Sequence, residues 1–187
     1  MTTPIILLLI VVGLIVVVGF WLMATYNGLV TLRQAVRNAW AQIDVQLKRR
    51  HDLIPNLVNT VKGYAAHEKE TFERVINARA RATSATSPAD VIKAEGELSS
   101  ALARLLAVSE AYPELKANQN FLSLQEELTS TENRVAYARQ FYNDNVTRLN
   151  TRVQTFPTVA IAGMFGFKEE PFFEAPSEEK EAPKVQF

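Results

Sequence analysis

The sequence predicts an all-α protein: an N-terminal transmembrane helix followed by an up-down four-helix bundle. Three observations carry that prediction. An unbroken apolar run opens the chain, apolar residues then recur at spacings of three and four over successive stretches, and no alternating, strand-like pattern competes with them.

The apolar run extends from Ile5 to Ala24, 20 residues without a polar or charged side chain. At the helical rise it reaches ~30 Å, the thickness of a bilayer hydrocarbon core. Phe20, Trp21 and Tyr26 stand at its C-terminal edge, where amphipathic aromatics favour the headgroup layer, and Pro4 suits a helix start. A cleaved signal peptide fits less well. Residues 1–4 carry no Lys or Arg, the run exceeds an ordinary h-region, and Leu22-Met23-Ala24 is a poor cleavage site. Arg33 and Arg37 follow the span, with only the amino terminus on its other side. The positive-inside rule therefore predicts an N-terminus outside and a cytoplasmic bundle.

Beyond Asn27-Gly28 the pattern becomes amphipathic. Leu29, Leu32, Val36, Ala39/Trp40, Ile43 and Leu47 mark the first bundle helix. Pro55 lacks a backbone donor and restricts Ile54, so a tight hairpin around His51–Ile54 is expected, with a kinked continuous helix as the alternative. Leu57, Val61, Tyr64/Ala65, Phe72, Val75 and Ala78 mark the second helix, which gives way to a small polar run ending at Ser87-Pro88. Ser87 as cap, Pro88 at the first turn and Asp90 two residues later start the third. Its stripe is Val91, Ala94, Leu98, Ala101, Leu105, Val108 and Tyr112. The fourth helix carries Phe121, Leu124, Leu128, Thr131, Val135, Ala138, Tyr142 and Leu149. Repeats near 3.5 residues imply shallow crossing angles, and short connections make neighbours antiparallel. Four helices of at least 24 residues are expected, followed by an apolar segment, Val159–Phe167, too short to span and expected to pack over the end of the bundle, with a partner-binding segment as the alternative. The organisation is thus an anchor over residues 1–26, a bundle over 27–167 and a Glu/Pro-rich, disordered tail over 168–187, with Phe172-Phe173 as a sticky point.

Composition narrows the function. The 20 basic and 20 acidic residues balance, which argues against a nucleic-acid partner, and the absence of cysteine removes disulfides, thiolate metal sites and Cys nucleophiles. Seven glycines form no phosphate-binding loop. His67-Glu68-Lys69-Glu70-Thr71 has Thr where a zinc-protease motif needs its second His, and His51 is the only other histidine; both are expected to be solvated. Glu126-Glu127 and Glu132 read as a charged face, because adjacent helix positions do not face each other. No catalytic, cofactor or metal site is expected.

Two contact surfaces are expected instead. Lys48, Arg49 and Arg50 form the one dense basic cluster, suited to anionic headgroups or an acidic partner. A straight helix would carry it ~35 Å past the span, beyond the screening length, so helix-end stabilisation is the competing reading. On the third helix, Ile92, Gly96, Ser99, Ala103 and Leu106 line up at spacings of four, three, four and three. These small residues between aliphatic ones would let a second helix approach closely, giving a homo-oligomer; burial of the same face within its own bundle, partly under loops or the C-terminal apolar segment, is the alternative.

The stretch YNGLVTLRQAVRNAWAQIDVQLKRRHDLIPNLVNTVKGYAAHEKETFERV, together with AYPELKANQNFLSLQEELTSTENRVAYARQFYND and TFPTVAIAGMFGF, resembles the LemA family over most of Tyr26–Phe167. The resemblance implies a bacterial membrane protein with an N-terminal anchor and a helical bundle. It supplies no reaction. Some relatives shape or organise bacterial membranes, and others are encoded beside a membrane zinc metalloprotease. The expected function is a non-enzymatic, membrane-anchored scaffold or adaptor whose partners are the lipid bilayer, copies of itself and another membrane protein. An accessory regulator of a membrane-bound protease is the alternative. The Glu/Pro-rich tail beyond Phe173 is expected to lie outside the resemblance.

Overall fold

The computed structural model describes residues 2–173; residues 174–187 of the acidic tail, expected to be disordered, lie outside the described residues. The described residues are all-helical, with no strand among them. The helices are α1 (Thr2–Lys62), α2 (Lys69–Ser84), α3 (Pro88–Ser109), α4 (Pro113–Lys116), α5 (Gln119–Gln154) and α6 (Thr158–Met164). The described residues divide into two units: 2–40 with Phe141–Pro171, and Ala41–Gln140 with Phe172 and Phe173.

In the first unit, α1 carries one segment long and apolar enough to cross a membrane. Its side chains from Pro4 to Ala24 are exposed, and burial begins at Thr25 and Leu29. Leu29, Val36 and Ala39 are buried, as their spacing predicts. Trp40 meets Tyr142 of α5 edge-on, with ring centroids 5.3 Å apart. The residues after α6 return along α5 without regular structure, held by side chains that mimic a backbone partner. Asn150 Nδ2 donates to the Glu170 carbonyl and Asn150 Oδ1 accepts from the Glu170 N–H, both at 2.9 Å. The Tyr142 hydroxyl donates to the Pro171 carbonyl. Burial, and secondarily the charge of Glu170, hold the Tyr142 phenol above its ordinary pKa, so this donor keeps its proton.

The second unit surrounds a core drawn from α1, α2, α3, α4 and α5. Ile54, Leu57, Val61, Phe72, Val75, Leu98, Leu105, Leu115, Phe121 and Leu128 meet there. The stripes of α3 and α5 are buried where the repeats place them, except that Val108, Tyr112 and Leu124 are half-buried. Ser87 caps α3 by accepting the Asp90 N–H, and Pro88 opens its first turn, as expected.

The expected hairpin around His51–Ile54 does not form. Helix α1 runs through Pro55 and ends at Lys62, and the turn falls at Gly63–Glu68. The second helix is correspondingly short: residues 57–62 belong to α1, and α2 has 16 residues and α3 has 22, both below the expected 24. The stripe Ile43, Leu47, Ile54, Leu57, Val61 continues on one face across the proline and is buried throughout. Core packing of that face offsets a break that in an exposed helix interior costs about 3 kcal/mol.

Pro55 cannot donate to the carbonyl four residues back, which belongs to His51. Arg79 of α2 fills the gap, its Nε–H reaching the His51 carbonyl oxygen at 2.8 Å. The proline thereby turns an intrahelical bond into one between helices. Arg79→Ala, which strands this carbonyl, should destabilise the protein by about 1–3 kcal/mol. In a Pro55→Ala background the restored N–H can serve the carbonyl, so the same change should cost markedly less. Denaturant unfolding of the four species in a double-mutant cycle measures the difference; strict additivity would contradict the exchange.

Candidate site: a buried charge cluster between helices

In the second unit, α1 and α3 meet at a point where three ionisable side chains leave solvent together. Arg50, His51 and Glu95 are all buried. Arg50 occupies the α1 stripe itself, at the position between Leu47 and Ile54. Glu95 lies four residues after Val91 and three before Leu98, which turns it inward as well.

The Glu95 carboxylate uses both oxygens. Oε2 accepts from Arg50 Nη1 at 3.1 Å, and Oε1 lies 2.6 Å from His51 Nε2. With Glu95 ionised, the ring proton belongs on Nε2 and the histidine donates. Arg50 Nη2 donates to Ser99 Oγ at 2.8 Å, and Glu132 of α5, whose side chain is largely exposed, stands 3.6 Å from the same nitrogen. The backbone of His51 is engaged too, through Arg79. Consecutive residues of α1 are therefore tied to α2, α3 and α5.

Chemically the cluster is closed. The one serine in it accepts from Arg50, and the one imidazole is committed to Glu95 through Nε2. Among the described residues, no three His, Asp or Glu side chains are placed to hold a metal ion. Its geometry is that of a cross-link: two charges desolvated together, each geometry-sensitive.

Beside the cluster runs a groove of about 360 Å³. Its walls include Arg50, Ile92, Gly96, Ser99, Glu132, Arg139 and Phe173. Phe173 is buried, and the Arg139 guanidinium lies over its ring at 5.5 Å.

The structure rearranges the sequence-predicted sites. The basic cluster Lys48, Arg49 and Arg50 is split: Lys48 and Arg49 are exposed, but Arg50 is buried and points inward to Glu95. His51, expected in solvent, is buried against the same carboxylate, whereas His67 is exposed. On the α3 face, Ile92, Gly96 and Ser99 are half-buried and line the groove with Phe173. Ala103 is exposed and Leu106 half-buried, in a separate depression shared with Phe121, Leu122 and Gln125. Sequence reasoning missed Glu95, Arg79 and Phe173 as members of these sites. For Glu95 the signal was present, since its register is that of the core stripe.

Removing one member strands the others. Glu95→Ala leaves Arg50 and His51 without their acceptor and should cost roughly 3–5 kcal/mol. Glu95→Gln, which keeps one accepting oxygen and the shape, should cost less. Chemical denaturation of the two variants checks the order; an alanine variant as stable as wild type would contradict the cross-link.

Known proteins with similar sequences place the chain in context. Magnetosome protein MamQ 1 of Paramagnetospirillum magneticum is 25% identical over 89% of this chain and 71% of that protein. Magnetosome protein MamQ of Magnetospirillum gryphiswaldense is 23% identical, over 81% of this chain and 65% of the relative. Protein LemA of Metamycoplasma hominis is 26% identical, over 73% and 63% respectively. A model of the LemA family matches residues 39–187, so the acidic tail, expected to lie outside the resemblance, falls within the family match. With so much of its length matched, the chain belongs to the LemA family.

Proposed function

We propose that this protein is a non-enzymatic, single-pass scaffold or adaptor of the bacterial inner membrane. The observation that carries the reading is the state of α1. Its first 20-residue apolar stretch is exposed along its whole length, and the same helix contributes Ile54, Leu57 and Val61 to the core of the second unit and Arg50 and His51 to its charge cluster. A helix hydrophobic all round belongs in lipid or in a protein interior. Two of the relatives are named as magnetosome proteins, and a role at a cellular structure is in keeping with those names. The helical segments of the second unit are best arranged as an up-down four-helix bundle, because their connections are short and their stripes repeat near 3.5 residues.

Arg33 and Arg37 orient the anchor with the N-terminus outside and the bundle in the cytoplasm. Arg33 is half-buried, its guanidinium over the Phe167 ring at 4.9 Å, and Arg37 is exposed. A reporter active only in the periplasm, fused after Phe187, should stay silent; activity there reverses the orientation.

Scaffolding requires contacts between copies or with a partner, and the face of Ile92, Gly96, Ser99, Ala103 and Leu106 is the proposed surface between copies. Within it Ala103 offers an exposed small residue, with Leu106 and the exposed Leu122 beside it. Full-length protein in mild detergent should assemble, and Ala103→Glu should lower its mass by light scattering while helicity is kept. The desolvated charge should weaken association by several kcal/mol, on the order of 2–5. A monomeric wild type, or a mutant of unchanged mass, removes this face. A stoichiometric protease that co-purifies would instead favour an accessory regulator.

A further inference from the structure

The first unit exposes a second apolar surface besides the span. Helix α6 buries Thr158, Ile161 and Ala162 on one side. Its other side and its flanks are apolar as well, yet uncovered: Phe156 is 83% exposed, Met164 80%, Phe165 55% and Val159 44%. No charged residue falls between Arg152 and Lys168. So large an apolar group turned outward is unusual for a surface that faces water.

Its location identifies what covers it. Phe165 meets Tyr26 edge-on with centroids 5.0 Å apart, and Phe167 meets the same ring at 5.8 Å. Tyr26 is two residues past the end of the apolar run, ~3 Å further along the helix axis. That is the level of the interfacial aromatic belt. The exposed flank of α6 is therefore continuous with the apolar surface of the span, and its two bounding cations, Arg152 and Lys168, are both exposed. An apolar surface with cationic neighbours at this depth matches the boundary between acyl chains and anionic headgroups.

We propose that Phe156–Phe165 is a second membrane contact, a short interfacial element that enters the lipid surface beside the anchor. The inference rests on the reading of Ile5–Ala24 as a membrane span. It gives the segment two roles divided by face. One face packs within the unit; the other holds the end of α5 against the bilayer.

The absence of cysteine makes the test direct. Full-length single-cysteine variants Met164→Cys, Phe156→Cys, Val12→Cys and Asn38→Cys are labelled with an environment-sensitive fluorophore and reconstituted in liposomes containing anionic lipid. Quencher is placed either near the headgroups or deep in the acyl chains, and helicity confirms folding. Labels at Met164 and Phe156 should shift to the blue and lose intensity to the shallow quencher, and the label at Val12 to the deep one. Asn38, ~21 Å beyond Ala24 along α1, should respond to neither. Quenching at Val12 without any at Met164 or Phe156 overturns the interfacial contact and leaves the anchor intact. No quenching at Val12 overturns the anchor and the inference with it. Disulfide-linked dimers of unlabelled Met164→Cys, with unquenched labels at that position, would put a second copy on the surface and also overturn the proposal.

Discussion

Two oxygens of a single carboxylate hold the second unit's helices in register. Glu95 presents one to the guanidinium of Arg50 and the other to the imidazole of His51, and all three side chains are out of water. A buried carboxylate without partners is expensive, and so is a buried guanidinium. Each therefore makes the other's position nearly obligatory. Apolar stripes alone tolerate sliding, since one aliphatic side chain fits a hole about as well as another. A charge pair does not slide: a shift of one helical turn along α3 would carry Glu95 ~5 Å from its donors.

The same point on α1 carries a second constraint of a different kind. Pro55 withdraws a donor from the His51 carbonyl, and Arg79 supplies one from α2. Side chain and carbonyl of His51 thus face different helices. What would be a defect in an isolated helix becomes a fastening here, because the carbonyl it frees is satisfied by the neighbour it must pack against. In the first unit the residues after α6 are fastened in a related way, Asn150 offering Glu170 the donor and acceptor that a strand would.

Much of this was legible in the sequence, and the failures have physical causes. The apolar run, the stripes of α3 and α5, and the Ser87-Pro88-Asp90 start were readable because they depend on local periodicity and capping. The Pro55 break was misplaced because proline's local penalty was weighed without the stripe that crosses it. Ile43, Leu47, Arg50, Ile54, Leu57 and Val61 follow spacings of four, three, four, three and four, which also put Arg50 in the core. Treated as one of a charge run, Arg50 looked like surface; placed on its helical face, it calls for a buried carboxylate, and Glu95 has the matching register. Arg79 and Phe173 were not readable. Their partners are 28 and 34 residues distant in sequence and are brought near only by the fold.

Buried charge pairs add little net stability over apolar replacements of similar size, and their better-attested use is to select one arrangement among several. The central claim is that Glu95 and Arg50 select the pairing of α1 with α3. It is tested by the distance distribution between spin labels at Arg49→Cys and Lys93→Cys, both exposed positions. The distribution is compared in the otherwise wild-type chain and in one that also carries Arg50→Met, His51→Leu and Glu95→Leu, so that no buried polar partner is left stranded. A single narrow distance in the first, broadened or split in the second while the protein stays folded and no less stable, is the predicted result. An equally narrow, unmoved distance in both would mean that packing alone sets the register and would contradict the claim.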